Sequence, residues 1–355
     1  MTKRLLVVAG GTGGHIFPGI AVAQFLQQQA WQVSWVGTAD RMEADVVPRY
    51  GFEIDFIAMK GVRGNGIKRL VTAPFMVITA ILAAKRILKQ RKPDVVLAMG
   101  GYVTGPVGVA AKLLGIPLVI HEQNAVAGMS NKLLAKIANK VLAGFPGAFS
   151  EELADVVGNP VRASVAEITE KSPSVPLNIL IVGGSLGAKA LNDVVPEGLM
   201  KLQQQAGNLS LAVRHQSGKN NHHDVQQRYE NAGVNAEVSE FIHDMDAAYA
   251  WSDIVICRAG ALTVSEIAAA GKMAIFVPFP HAVDDHQTAN AQFLVSAGAA
   301  QLVQQSTLNA EALMQMLLPL VTEPQKIAQM ATKARQCGKS EATAKVAQVC
   351  TELSN

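Results

Sequence analysis

The chain has 355 residues and a formal net charge of +3; 49% of its residues are hydrophobic and 17% are charged. A length beyond the ~100–200 residues of one domain excludes a single small module and predicts two cores. The composition excludes a chain that stays disordered. Three cysteines, an odd number, favour reduced thiols over a disulfide framework, and the apolar run at residues 5–9 is too short for a secretory signal peptide.

The modest net charge hides an uneven distribution along the chain. Residues 1–162 contain 18 Lys and Arg against 10 Asp and Glu, whereas residues 163–355 contain 13 against 18. Most of the excess is local, because residues 60–92 hold nine bases and no acid. Such asymmetry predicts that the first half of the chain meets an anionic surface.

Short apolar runs alternate with helical stretches in both halves. Buried runs bounded by glycine are typical of parallel strands, so each half predicts a doubly wound α/β fold. Gly, Asn and Pro cluster at residues 157–162 and mark a seam, which gives domains 1–162 and 163–340. Residues 341–355 have a helical pattern that could pack on either domain and is grouped with the first. The predicted strands are residues 5–9, 33–36, 95–98, 118–121, 179–182, 210–214, 254–257 and 274–277.

Residues 68–89 combine an apolar stretch with basic ends. The stretch at residues 70–84 is uncharged, and at ~1.5 Å per residue its ~15 residues reach only ~22 Å, less than the ~30 Å hydrocarbon core. A membrane span is therefore not expected. Two interpretations stay open: a peripheral helix at an anionic leaflet, and a core helix with solvated ends. The flanking bases are Lys68, Arg69, Lys85, Arg86 and Lys89.

Three glycine-rich turns follow predicted strands, at residues 10–15, 100–106 and 183–188. Glycine lets a backbone approach a phosphate, and the following helix N-terminus offers unpaired N–H groups, so the three turns favour a phosphate-bearing ligand over ordinary tight turns. No turn reads G-x-G-x-x-G or G-x-x-x-x-G-K-[ST], which argues against nicotinamide, flavin and P-loop sites.

No metal or other cofactor is expected. Asp244-Met245-Asp246 has the D-x-D spacing by which some sugar transferases hold a divalent cation. An N-cap acid at Asp244, after a strand end at residues 241–242, is the favoured interpretation. His222-His223 and Asp284-Asp285-His286 lack matching ligand partners.

Seven motifs, in order along essentially the whole chain, resemble the MurG family of bacterial glycosyltransferases. No single motif is specific, but their order leaves little room for coincidence. One position departs from the family, which often has glutamine where this chain has Leu186. The motifs are GGTGGHIFPG at 10–19, GGYV at 100–103, HEQN at 121–124, VGNPVR at 157–162, GGS at 183–185, RAGALTVSE at 258–266, and DHQ at 285–287 followed by Asn290-Ala291.

The resemblance implies a GT-B fold, in which two Rossmann-like domains face a cleft. It also implies inverting, metal-independent transfer of N-acetylglucosamine from UDP-N-acetylglucosamine to the 4-hydroxyl of undecaprenyl-pyrophosphoryl-N-acetylmuramoyl-pentapeptide, a step of peptidoglycan synthesis. The first domain would bind this lipid acceptor and the second the UDP-sugar. The enzyme would be peripheral on the cytoplasmic face of the inner membrane, with residues 68–89 facing an anionic surface and no nucleic acid as partner.

The resemblance also implies site residues. His15, at the mouth of the first glycine loop, is the candidate base, because an unperturbed imidazole has a pKa of ~6.5; the alternative is a hydrogen-bond donor to a phosphate. Glu266 would accept both ribose hydroxyls, although an acid in the first turn of a helix is also ordinary dipole matching. The substrate-binding set is Thr12, Gly13, Gly14, Asn124, Arg162, Ser185, Ile242, Ala261, Leu262, Thr263, Val264, Ser265, Glu266 and Gln287.

Within this set, Ser185 and Thr263 would donate to the departing diphosphate. Ile242 and Arg162 match positions near the uracil. The amides of Asn124 and Gln287 match positions that read sugar hydroxyls, a task that suits groups able to donate and accept.

Two other functions remain open on the sequence. A UDP-N-acetylglucosamine 2-epimerase or hydrolase would explain the glycine loops but not the basic segment at residues 68–89. A non-catalytic module that binds polyprenyl lipids would explain the basic segment but not the nucleotide-like site of the second half. UDP release that depends on the lipid acceptor distinguishes the transferase from both.

Overall fold

The computed structural model describes residues 2–59, 66–184, 186–207 and 209–355, except for the side chains of residues 66–73 and 283. The strands are β1 Arg4–Ala9, β2 Gln32–Gly37, β3 Glu53–Phe56, β4 Val95–Gly100, β5 Leu118–Glu122, β6 Lys140–Ala143, β7 Asp155–Val156, β8 Leu177–Val182, β9 Leu211–Gln216, β10 Ala236–Ser239, β11 Ile254–Cys257, β12 Met273–Phe276 and β13 Ala300–Leu302. The helices are α1 Gly13–Gln28, α2 Met42–Arg49, α3 Gly66–Arg91, α4 Thr104–Leu113, α5 Met129–Leu134, α6 Ala163–Ala166, α7 Lys189–Ala206, α8 His222–Ala232, α9 Met245–Trp251, α10 Ala261–Ala270, α11 His286–Val295, α12 Ala310–Thr322, α13 Gln325–Cys337 and α14 Ala342–Leu353.

The chain divides into two compact units. Unit 1 comprises residues 1–162 and 340–355, and unit 2 comprises residues 163–339. The helical pattern near the end of the sequence is α14, which belongs to unit 1 and packs on α1. Val346, Ala347 and Cys350 of this helix are buried in the same core as the face of β1 that carries Leu5 and Val7.

Unit 1 is a seven-stranded parallel sheet in the order β3-β2-β1-β4-β5-β6-β7. Residues of α1 and α14 bury apolar side chains against one face, and residues of α3 and α4 do so against the other. Strands covered on both faces have no polar side to show. This is why the fully buried β4 appears in the sequence as an unbroken apolar run, and why β5, also fully buried, begins with one before His121 and Glu122.

Unit 2 repeats the plan with six parallel strands in the order β10-β9-β8-β11-β12-β13. Its core joins β8, β11 and β12 to helices α7 and α12. The prediction of two doubly wound, Rossmann-like α/β domains is confirmed.

Three details differ from the sequence-based expectations. The strand expected to end at residues 241–242 is β10, which ends at Ser239, and Phe241 is exposed beyond it. Helix α3 is longer than the apolar stretch that predicted it. The short strands β3, β6, β7 and β13 were not predicted; no residue of β3 or β7 is buried, and β6 and β13 are only four and three residues long. Among the described residues, no helix is both long and apolar enough to cross a membrane.

Candidate active site

The glycine-rich motifs collect where the strand order of each sheet reverses. In unit 1 the reversal lies between β1 and β4, and in unit 2 between β8 and β11. Open parallel sheets bind ligands at the carboxyl ends of the strands at this switch point. The first and second glycine loops follow β1 and β4, while the third loop and the start of α10 follow β8 and β11. Each unit therefore presents its motifs where its topology favours a ligand.

A buried carboxylate holds the first glycine loop. Glu43 is fully buried; its Oε2 accepts a hydrogen bond from Gly11 N at 2.9 Å, and its Oε1 accepts from Thr38 N at 2.9 Å and Thr38 Oγ1 at 2.6 Å. A Cβ atom at Gly10 would lie 2.5 Å from Glu43 Oε1, so glycine is required there. Glu43 is not among the site residues predicted from the sequence, where its only signal is its place in the first turn of α2.

The second glycine loop is shaped around His15. Gly100 and Gly101 have φ angles of +125° and +95°, which side chains rarely adopt. A Cβ atom at Gly100 would lie 2.5 Å from His15 Nδ1, and one at Gly101 would lie 2.5 Å from Gly10 O. The two loops are thus in direct contact, and the half-buried His15 occupies the space that the second loop leaves.

His15 is the outer end of a chain of hydrogen bonds, here called the His15 relay. His15 Nδ1 lies 2.7 Å from Gln123 Oε1. Gln123 Nε2 lies 3.0 Å from His121 Nδ1 and 3.1 Å from His121 O. His121 Nε2 lies 2.9 Å from Gly158 O. Burial lowers the pKa of His121 to about 4, so this imidazole is neutral near pH 7.

The loop after β5 is organised by Glu122, a second buried carboxylate. Its Oε1 accepts from Asn124 N at 3.0 Å and Asn124 Nδ2 at 3.2 Å. Its Oε2 accepts from Asn131 Nδ2 at 2.9 Å and Gly128 N at 3.0 Å. The amide nitrogen of Asn124, a candidate to read sugar hydroxyls, is therefore engaged by the protein. The motif at residues 121–124 supplies the relay and this loop anchor together.

In unit 2, the third glycine loop lies against a neighbouring turn. A Cβ atom at Gly187 would lie 2.1 Å from Ser217 O, so the two backbones approach closely. Leu186, which departs from the family pattern, is 85% exposed. Ser185, predicted to donate to a phosphate, lies outside the described residues. Helix α7 begins only at Lys189, several residues after the glycine pair.

Helix α10 offers its N-terminus beside this loop. Its N-cap, Gly260, supplies no side chain, and no acid occupies its first turn. Glu266 is the sixth residue of the helix, so the interpretation of this acid as first-turn dipole matching is wrong. Glu266 is buried, and its Oε2 accepts a hydrogen bond from Tyr249 Oη at 3.1 Å. Of the other candidates on this helix, Ala261 and Val264 are buried and Leu262, Thr263 and Ser265 are half-buried.

Gln287, on α11, is fixed by backbone N–H groups. Its Oε1 accepts from Phe279 N at 2.9 Å and from Ala259 N at 3.3 Å. Both lone pairs of the carbonyl are used, so the amide presents donors to a ligand rather than the mixed donor and acceptor expected from the sequence.

The two uracil candidates lie in different units. Ile242 is half-buried after β10 in unit 2, and Arg162 is half-buried at the last residue of the first segment of unit 1. Asp244 caps α9, because its Oδ1 accepts from Ala247 N at 2.9 Å. The N-cap interpretation of the D-x-D sequence is confirmed.

Comparison with known proteins decides the family. The model of the glycosyltransferase family 28 N-terminal domain matches residues 5–143, and that of the C-terminal domain matches residues 178–349. This chain belongs to glycosyltransferase family 28. The first match lies in unit 1, and the second covers most of unit 2 and continues into residues 340–349, which belong to unit 1.

Full-length relatives of this family 28 chain carry one name. A protein of Pseudoalteromonas translucida is 60% identical over 100% of this chain and 99% of its own length, and one of Shewanella sp. (strain MR-4) is 54% identical over 99% and 98%. Both are named UDP-N-acetylglucosamine--N-acetylmuramyl-(pentapeptide) pyrophosphoryl-undecaprenol N-acetylglucosamine transferase.

Two solved structures are similar to this chain to different degrees, one in sequence and fold and the other in fold alone. The crystal structure of Acinetobacter baumannii MurG is 44% identical, has a TM-score of 0.83 and covers 99% of both chains. A UDP-N-acetylglucosamine 2-epimerase structure is only 14% identical, with a TM-score of 0.65 over 98% of this chain and 95% of its own. The epimerase shares the fold alone.

Proposed function

We propose that this chain transfers N-acetylglucosamine from UDP-N-acetylglucosamine to the 4-hydroxyl of undecaprenyl-pyrophosphoryl-N-acetylmuramoyl-pentapeptide in peptidoglycan synthesis. The observation that carries the proposal is the 60% identity, over the full length, to a transferase of that name. The 2-epimerase has no comparable support, since its likeness is one of fold.

Each chemical demand of the reaction has a candidate group. His15 is the base that takes the proton of the attacking hydroxyl. The N-terminus of α10, with Thr263 and Ser185, stabilises the negative charge of the departing diphosphate. Glu266 accepts the ribose hydroxyls. Ile242 and Arg162 bind the uracil, while Asn124 and Gln287 orient the sugar together with the first loop, Thr12, Gly13 and Gly14.

The lipid acceptor requires a membrane-facing surface, and we place it on α3. Phe75, Ile78 and Leu82 are 73%, 54% and 61% exposed, and their spacing puts them on one face of the helix. The same face continues into the exposed Arg86 and Lys89. Bulky apolar side chains followed by bases suit an interfacial helix at an anionic leaflet.

Neighbouring helices extend this membrane surface. Helix α4 packs on α3 and on α5. Leu113 on α4 and Leu133 on α5 are 64% and 59% exposed, and the adjacent Lys112 and Lys132 are exposed as well. Arg91 takes no part, because its guanidinium pairs with Glu53 and, at 2.7 Å, with Asp55 of β3. These exposed apolar and basic side chains support peripheral association with an anionic membrane surface. The cytoplasmic face of the inner membrane is the location that we propose for it.

The activity is tested with the purified chain and UDP-N-acetylglucosamine, with and without the muramoyl-pyrophosphoryl polyprenol. We expect UDP release that depends on the acceptor, with the sugar recovered on the lipid. Turnover without the acceptor would instead indicate an epimerase or hydrolase, and binding of the lipid with no turnover would indicate a binding module.

The membrane surface is tested by vesicle sedimentation with anionic phospholipid. A variant with Ile78→Ser, Leu82→Ser, Lys85→Glu and Arg86→Glu should lose vesicle binding and keep its affinity for UDP-N-acetylglucosamine. The charge-matched control replaces two exposed lysines of unit 2, Lys333 and Lys339, with glutamate. Undiminished binding by the first variant, or equal loss in the control, would refute the assignment.

A further inference from the structure

We propose that Gln123 is a positioning residue that fixes the tautomer of His15, leaving Nε2 as the unprotonated nitrogen that accepts the proton. The catalytic part of this inference rests on the proposed function. The tautomer itself does not, because it follows from the direction of each hydrogen bond in the His15 relay.

The orientation of the Gln123 amide is settled by a backbone carbonyl. The amide end nearest to His121 O lies 3.1 Å from it. A carbonyl oxygen only accepts, so this end is the NH₂ group. Oε1 therefore points the other way, toward His15 Nδ1 at 2.7 Å. Since Oε1 also only accepts, Nδ1 of His15 must carry the hydrogen.

The other end of the relay is fixed in the same manner. His121 Nε2 lies 2.9 Å from Gly158 O, which only accepts, so Nε2 carries the hydrogen of this ring. Its Nδ1 is left to accept from the Gln123 NH₂ group at 3.0 Å. His121 is fully buried and neutral, so its ring carries only one N–H hydrogen, the one on Nε2. The directions of the hydrogen bonds in the His15 relay therefore cannot be reversed. Two backbone carbonyls, neither of which titrates, thus set every hydrogen bond between them.

The consequence for His15 concerns its outer nitrogen. With the hydrogen on Nδ1, Nε2 of the neutral ring holds a lone pair and can only accept. The neutral ring therefore cannot act as a hydrogen-bond donor to a phosphate through Nε2, which favours the base over the alternative role. Gly100 completes the arrangement, because a Cβ atom there would lie 2.5 Å from His15 Nδ1 and would clash with the ring.

In the proposed reaction step one proton moves, one bond forms and one bond breaks. The O4–H proton of the acceptor sugar moves to His15 Nε2 as O4 forms its bond to the anomeric carbon of the donor. The bond between that carbon and the diphosphate oxygen breaks, and its electron pair leaves with UDP. The imidazolium that forms keeps its Nδ1–H on Gln123 Oε1, so the ring does not have to reorient during the step.

The tautomer is read directly from two-bond ¹H–¹⁵N spectra of the full chain with ¹⁵N-labelled histidine. The signals of His15 are identified by their loss in His15→Ala. We expect the Nδ1–H form for neutral His15 in the wild type and a mixture of tautomers in Gln123→Met, which keeps the side-chain length without the amide. An Nε2–H form in the wild type would overturn the inference, as would an unchanged spectrum in Gln123→Met.

Kinetics separate positioning from simple loss of structure. Gln123→Met should lower kcat at least tenfold while the donor KM stays within twofold, at a urea midpoint that leaves the variant folded in the assay. A rise in KM with unchanged kcat would overturn the positioning role. If the wild type shows no acceptor-dependent turnover, the proposed function fails while the spectra still decide the tautomer.

Discussion

Both units bury a neutral histidine in their sheets, and the two histidines are used differently. His121 lies on β5 of unit 1 and His215 on β9 of unit 2, each with no exposed surface. Burial lowers the pKa of His121 to about 4 and that of His215 to about 3. Each is flanked by a side-chain amide whose orientation is set by a backbone carbonyl.

In unit 2 the chain of hydrogen bonds lies entirely inside the core, with a buried group at each end. Asn192 Nδ2 donates to Ser217 O at 3.0 Å, so Asn192 Oδ1 faces His215 Nε2, 3.0 Å away. His215 Nδ1 accepts from Tyr229 Oη at 2.9 Å, and Tyr229 is fully buried. In unit 1 the corresponding chain ends on the half-exposed His15 at the switch point. The same kind of hydrogen-bonded chain is buried at both ends in unit 2, whereas in unit 1 it ends on His15, for which we propose a role in catalysis.

The largest effect is expected for His15→Ala, which removes the exposed end of the hydrogen-bonded chain in unit 1. We expect kcat to fall by about 10² to 10⁴, the usual worth of a general base. The affinity for UDP-N-acetylglucosamine should hardly change. Initial rates and calorimetric titration with the donor measure the two quantities. Donor binding that falls in proportion to the rate would remove His15 from the role of base.

Lowering the pH should affect the stability contributions of His121 and His215 in the same way. The unfolded chain protonates both near pH 6.5, whereas the folded chain does not until about pH 4 for His121 and about pH 3 for His215. Their contribution to stability is therefore full above pH 6.5 and is lost as the pH falls. By linkage the pair should cost about 4 kcal/mol of unfolding free energy between pH 7 and pH 5. Urea titrations at pH 7, 6 and 5 measure the loss, and His215→Leu should show a shallower slope.

At neutral pH, His215→Leu should act on stability alone. The substitution leaves Tyr229 Oη and Asn192 Oδ1 without their partner in the core, at a cost of about 3 kcal/mol. We expect a lower urea midpoint and an unchanged kcat per folded molecule. A fall in kcat at equal folded fraction would mean that unit 2 also uses its histidine in the reaction.

The smallest expected effect is that of Tyr249→Phe, which removes the hydroxyl that donates to Glu266. Loss of one hydrogen bond to a charged carboxylate costs about 1.5 kcal/mol at the low end of its usual range. The donor KM should therefore rise about tenfold with little change in kcat, in contrast to the kcat effect of Gln123→Met. An unchanged donor KM would argue against Glu266 as a ribose ligand that depends on this tyrosine.

Much of the fold was predictable because parallel strands buried on both faces leave continuous apolar runs. The eight predicted strands correspond to strands of the structure, whereas β3, β6, β7 and β13 were not predicted. These four strands are only two to four residues long, and no residue of β3 or β7 is buried. The switch-point loops were predictable for a related reason, since glycine is required where the backbone reverses closely, as at Gly100 and Gly101.

The supporting network of the candidate site was not predictable. Gly11 and Glu43 are 32 positions apart, and His15 and Gln123 are 108 apart. Local pattern says nothing about which distant side chains converge, or which end of an amide faces a ring. Even the motif at residues 121–124 does not reveal that Gln123 faces inward to His121 and outward to His15.

The discontinuity of unit 1 has a consequence for synthesis of the chain on the ribosome. Translation completes residues 163–339 before it reaches α14, whose Val346 and Cys350 close the core against α1. Unit 2 can therefore finish folding while unit 1, although begun first, still exposes the apolar surface of α1 that awaits its last helix. Unit 1 therefore begins to fold first but is completed after unit 2. Unit 1 is also the unit that contains the His15 relay.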